Sequence, residues 1–474
     1  MPRRGDWSGQ HLCCFLTLTL STLFSVLLTP AVRAQKADPL FSTVPFGQWV
    51  AQGHHADIPW KVKIRPTELG NDQRLVVAID ITVDGYNLAH RPPGGELVTL
   101  IQIEDSQGRI YQDHGVISLK HLNRDVRRAD IVFMHRAMVM PGDYHLTLAL
   151  LHAASGDHDL MRETIHVEPL KKDPLPSSWE GLPPVEIFGR EDGMEMWFHP
   201  EMTGRLRIPV ENHLPVRIEL MVNLPPWSGY LYSVCMRTLI PQLKALSEMG
   251  LRNGVINITL LDVPHRQAIP ITRQGQPLDW RALKTGLDKA NPNMVDVRAL
   301  GQQVPAADFL SEEIRQRIAE QAAGAAGAEE KSRLILIVVG VSEQYGIAPS
   351  WKPAVLNNVA VEEAYLIRDF PPFNELQSPL GPNDLANASR MQPPIDRGAG
   401  APIRITLDSE IPVPNGAPRR LLVPRRPPWN LPERKGFISL QDVLNSVKPR
   451  VFTVKSPLQF REALSAILED ISHL

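Results

Sequence analysis

Two apolar runs in this sequence end where an α/β sheet would hold a ligand, and their closing residues limit the chemistry available there. Val216–Val222 (VRIELMV) reads as a buried strand and leads into Asn223-Leu224-Pro225-Pro226-Trp227-Ser228. Arg333–Val341 (RLILIVVGV) reads as a central strand and leads into Ser342-Glu343. Neither run closes on an aspartate. Ser342, in Gly340-Val341-Ser342-Glu343-Gln344, lacks the full pair of flanking glycines of a nucleophile elbow, so a loop serine is the favoured reading. Cys235 would need a neighbouring base or helix terminus to become reactive, and it reads as a small buried helix residue.

Ten of the 15 histidines fall between His54 and His166. Their spacing, an adjacent His54-His55 and then singles such as His114, His121, His145 and His152, has no HxxxH pattern and gives no zinc motif. The run Arg419-Arg420-Leu421-Leu422-Val423-Pro424-Arg425-Arg426-Pro427-Pro428-Trp429 mixes the residue types favoured at binding hot spots. A solvated loop gripped by its Trp is the blander reading. Pro225-Pro226-Trp227 offers a second candidate contact. The expected partner-binding residues are therefore Pro225, Pro226, Trp227, Arg419, Arg420, Arg425, Arg426 and Trp429. No catalytic, cofactor-binding or metal residues are expected.

The elements that position these residues follow from periodicity. Residues 40–170 hold short alternating runs, including Arg74–Val83, Glu96–Glu104, Asp130–Met134, Tyr144–His152 and Arg162–Val167, separated by Gly, Asp and Asn turns. That spacing predicts an antiparallel β-sandwich. Residues 171–184 (KDPLPSSWEGLPP after Lys171) read as a linker, and 185–215 as a β extension. From Val216 the pattern alternates strand and helix, which predicts a mostly parallel sheet with helices on both faces. Its strands include Gly254–Leu261, Ala364–Ile367 and Arg450–Val454. Ser456 and Pro457 announce a closing helix. Residues 371–435 interrupt it with 14 prolines in 65 residues, and only Ile403–Leu407 looks ordered there.

The first 34 residues read as a secretory signal, with Arg3 and Arg4, an apolar Leu12–Leu28 and a Val32-Arg33-Ala34 exit. A membrane anchor is the alternative. Cleavage after Ala34 would leave Cys235 as the sole cysteine, so no intramolecular disulfide is expected. No later run is long and apolar enough to span a bilayer. A net charge of −2 argues against nucleic acid as a partner.

The order of elements from Val216 onward, with VENHLPVRIELMVNL, LDW, VDVRAL, RLILIVVGV and RVFTVKSPLQFREALSAILEDI, resembles a degenerate von Willebrand factor type A domain of a secreted bacterial, Acidobacteria-type group. The segment Pro141-Gly142-Asp143-Tyr144 resembles a strand entry of bacterial immunoglobulin-like domains. The first resemblance implies a multidomain protein, with the sandwich followed by a Rossmann-like α/β domain over 216–474. It also implies a magnesium site built from D-x-S-x-S. Here Asn223, Pro225 and Trp227 take those places, and proline and tryptophan offer no side-chain oxygen. The expectation is a secreted, periplasmic or cell-surface protein without cofactor, binding an unknown protein partner in the envelope or extracellular space. The alternative is a secreted hydrolase.

Overall fold

The computed structural model describes residues 38–53, 57–92, 95–119, 129–187, 202–225, 230–263, 265–272, 276–290, 303–324, 332–341, 344–347, 361–370, 403–406 and 437–474. The signal segment, the basic run and nearly all of 371–435 lie outside these residues.

The chain first forms α1 (Leu40–Thr43), α2 (Phe46–Gln52), β1 (Trp60–Ile64), β2 (Glu68–Leu69), β3 (Leu75–Asp84) and α3 (Gly85–Ala89). Then come β4 (Glu96–Asp105), β5 (Ile110–Ser118), β6 (Ala129–Val139), β7 (Gly142–His152), β8 (His158–Val167) and β9 (Val185–Ile187). Antiparallel pairing orders one sheet β5-β4-β7-β8 and a second around β1-β3-β6. Strict alternation decides what each face buries. Leu97, Ile101 and Ile103 of β4 meet Ile79, Ile81 and Phe133 of the other sheet in one core, the arrangement of a β-sandwich. Val98 and Leu100 point the other way, under Phe46 and Trp49 of α2.

The remaining elements are β10 (Ile208–Val210), β11 (Val216–Asn223), α4 (Tyr230–Ser247), β12 (Met249–Leu251), β13 (Gly254–Asp262), β14 (Gln267–Thr272), α5 (Trp280–Ala290) and α6 (Gln303–Gly324). They continue with β15 (Arg333–Val341), β16 (Gln344–Ile347), β17 (Val361–Asp369), β18 (Ile403–Thr406), β19 (Phe437–Ser439), α7 (Leu440–Leu444), β20 (Arg450–Val454) and α8 (Pro457–Ser472). A mixed sheet runs β14-β13-β11-β15-β17-β20, with β14 antiparallel and the other pairings parallel. Its strands carry near-continuous Val, Ile and Leu because both faces are covered. One face meets α4, α5 and α8, and the other meets α6 and α7.

This arrangement corrects the expected fold class, a multidomain chain of a β-sandwich followed by an α/β von Willebrand-like domain. Strand residues outnumber helix residues, most ladders are antiparallel, and the long central sheet is mixed. Asp38–Leu474 forms one compact unit, and a single apolar cluster runs from Ile79 through Leu220 to Ile467. Even β18, inside the proline-rich segment, joins the first half by pairing with β6.

Residues 171–184 are packed as part of this junction. Arg461 on α8 is fully buried and grips Asp173 with both arms, Nε to Oδ1 at 2.6 Å and Nη2 to Oδ2 at 2.8 Å. The same Nη2 donates to the Leu175 carbonyl and to Ser178 Oγ, and the guanidinium lies 5.3 Å from the Trp179 ring centre. A second tie comes from Pro241, which lies inside α4 rather than at a break. Proline has no N–H, so the Arg237 carbonyl one turn back loses its helical donor. Asn71, in the turn before β3, supplies one at 3.2 Å.

Candidate functional site

Strand ends are the first place to look. β11 closes on buried Asn223, Leu224 and Pro225, and the Leu224 N–H donates to the Leu261 carbonyl at 2.9 Å. Beside it, Gly340 of β15 permits close approach: a Cβ there would stand 2.8 Å from that of Asn223. Pro225 is thus enclosed and offers no exposed contact. Pro226 and Trp227, and Arg419, Arg420, Arg425, Arg426 and Trp429, lie outside the described residues.

The carboxylates stand on the neighbouring strands. Asp262 closes β13 and Asp369 closes β17. The ladder pairs Asn223 with both Leu261 and Gly340, and Val341 with Asp369, so the two aspartates share one level. Three strand spacings separate them, about 14 Å. Glycoside-type chemistry with paired carboxylates needs about 5–9.5 Å. These two acids therefore do not form such a pair.

Asp262 instead holds a histidine. Its Oδ2 meets His265 Nδ1 at 2.7 Å, and its Oδ1 accepts the His265 backbone N–H at 3.3 Å. Burial pushes the Asp262 carboxyl above its usual range, against the opposing pull of His265. A carboxylate on Nδ1 fixes the tautomer and orientation of the ring, as it does for a general base. The His265 side chain is 21% exposed, so solvent reaches it.

Asp369 has a different environment. It is buried, accepts from the Thr238 hydroxyl, and accepts from Gln242 Nε2 at 3.0 Å. Both donors stand on α4, one turn apart. Cys235 is buried on the same helix, and its carbonyl lies 3.0 Å from the Thr238 hydroxyl.

A third constellation has the residue types of a hydrolytic triad. His135 Nδ1 meets Asp113 Oδ2 at 3.1 Å, and His135 Nε2 meets Thr99 Oγ1 at 2.9 Å. The order acid, imidazole, hydroxyl is that of an acyl-transfer relay. Its location removes that role, because Thr99 is wholly buried and His135 nearly so, between the two sheets. Gly115 makes room for it, since a Cβ there would stand 2.8 Å from the Thr99 hydroxyl. The relay is an internal polar bridge that joins β4 and β5 to β6.

Other histidines also have acidic or polar neighbours. His114 meets Asp38 at 2.5 Å, His166 meets Asp143 at 2.7 Å, and His152 meets Ser155 at 2.8 Å. Among the described residues no group of three His, Cys, Asp or Glu side chains could hold a metal ion. No described helix is long and apolar enough to cross a membrane.

Sequence reasoning missed Asp262, Asp369 and the His135 bridge. The first two had a signal. Each aspartate closes an apolar run, GVINITLLD and VEEAYLIRD, and the expected strands stopped one and two residues short of it. The His135 bridge needs cross-sheet pairing that no local pattern carries.

No family model matches the sequence, and no curated protein matches it. Among solved structures there is a likeness to a glycosyl hydrolase family 2 member from Bacteroides cellulosilyticus. It covers 43% of this chain and 22% of that chain, with 9% identity and a TM-score of 0.17.

Proposed function

We propose that the protein is a secreted, non-catalytic interaction or structural protein of the bacterial cell envelope. One observation supports this most: among the described residues, the set closest to a catalytic triad, Asp113–His135–Thr99, has its hydroxyl and imidazole buried between two sheets. Export follows from the signal-like first 34 residues, with cleavage after Ala34. The contact surface in this reading is the segment after β11, with Trp227 as anchor, joined by the arginines between Arg419 and Arg426. Aromatic and arginine anchors need no metal, so capture of a partner survives EDTA. Trp227→Ala should weaken a captured partner by about 2 kcal/mol. Amino-terminal sequencing of the exported protein should begin at Gln35, and an intact Met1 in a membrane fraction would remove the export claim.

A secreted hydrolase is the second reading, and one observation favours it: the solvent-reachable His265 oriented by Asp262 at a strand end. Turnover of a generic ester or peptide substrate, abolished by His265→Ala, would replace the first reading with this one.

A further inference from the structure

Among the described residues, Asp369 is a buried strand-end carboxylate whose hydrogen-bonding partners include no histidine, lysine or arginine. A lone ionised carboxylate in a dry core costs several kcal/mol unless it is neutralised. On α4 Asp369 meets the neutral Thr238 hydroxyl and Gln242 amide, with the Cys235 thiol group one turn away and buried. On β17 the titratable group two positions beyond Ile367 on the same face is Tyr365, whose hydroxyl donates to Asp470. The neighbouring strand positions are Val341 on β15 and Val454 on β20, both apolar. On α8, Arg461 is committed to Asp173. Lys455, just past β20, has its ammonium 5.9 Å from the Phe370 ring centre.

A second feature points the same way. Gln242 donates to Asp369 through Nε2, while its buried Oε1 has no hydrogen-bond partner. Rotating that amide would place Oε1 where it can accept from a protonated Asp369. The pocket is thus arranged for either form of the acid, but only the neutral form avoids an unanswered charge. We propose that Asp369, Thr238 and Gln242 form a proton-operated latch that fastens α4 to the end of β17 when Asp369 carries its proton and loosens it when the proton is lost.

Burial pushes the Asp369 carboxyl up to about 6, with the Thr238 and Gln242 bonds opposing it. The folded state therefore holds its proton more tightly than the unfolded chain. The stability this contributes is complete below about pH 4 and is lost as pH rises through about 6. α4 begins seven residues after Asn223, so loosening it frees the helix that follows the proposed contact segment after β11. The latch itself does not depend on that function.

The test is urea unfolding of the full chain between pH 4 and pH 7.5, with hydrogen exchange read at α4 amides. The folded-to-unfolded ratio of the wild type should fall roughly 100-fold more across that range than that of Asp369→Asn. Exchange in α4, corrected for its intrinsic pH dependence, should quicken only in the wild type. Thr238→Val removes one donor to the charged form, so it should move the transition to higher pH. An equal pH response in Asp369→Asn overturns the latch. Should that variant fail to fold, an unmoved transition in Thr238→Val overturns it instead.

Discussion

At the scale of single residues, the polar groups inside this protein matter more than those on its surface, because each one that is buried must be answered. Pro241 illustrates this. Its missing N–H strands the Arg237 carbonyl, and Asn71 answers from 166 positions away in sequence. Asn71→Ala should cost about 1–2 kcal/mol, measured as a shift in urea midpoint. In a Pro241→Ala background the helix regains its own donor, so the same change should cost little. If Asn71→Ala costs the same in both backgrounds, the carbonyl is not what Asn71 serves. Arg461 is the larger case. Arg461→Met leaves the Asp173 carboxylate, with 12% of its side chain exposed, without its cation. A loss of about 3–5 kcal/mol is expected. A loss below about 1 kcal/mol would show that the junction does not rely on this pair.

At the scale of elements, the two halves of the chain differ in how much of their role could be read in advance. Two strands of the mixed sheet announce themselves: RLILIVVGV runs over Arg333–Val341 and the edge strand RVFTV over Arg450–Val454, with the expected bounds. The closing helix was legible because its signals are local. Ser456 accepts the Gln459 N–H at 3.3 Å, and Gln459 Oε1 accepts the Lys455 N–H at 2.8 Å, one residue before the cap. Elements whose role depends on distant partners were not legible. Residues 171–184 have linker composition, yet a 3-10 turn over Pro176–Trp179 docks under Arg461 and buries Ser178 and Trp179. No sequence pattern states that an arginine nearly 290 positions later will need them. The same limit hid the candidate site. Only Pro225 of the expected contact residues is described, and it is buried, while Asp262 and Asp369 closed strands that had been ended too early. Ser178→Ala should separate the docking bonds from the cation. It removes one neutral partner of Arg461 and should cost about 1 kcal/mol, well below the Arg461→Met effect. Equal costs would mean that the charge contributes nothing beyond one hydrogen bond.

At the scale of the whole molecule, these ties make the two halves one unit rather than beads on a linker. Fluorescence and far-ultraviolet circular dichroism should therefore report one coincident urea transition, and two well-separated transitions would contradict it. The proposed function rests on the same picture: a continuous core and a hydrolytic-looking relay whose Thr99 and His135 are buried in it. The most direct test is quantitative capture from a native envelope extract, comparing wild type with Trp227→Ala and with both Arg425 and Arg426 changed to Glu, each with and without EDTA. The account predicts a partner held equally in EDTA, weakened about 30-fold by Trp227→Ala, and bound more slowly by the charge-reversed chain. Capture that is abolished by EDTA, or left unchanged by both variants, would contradict it.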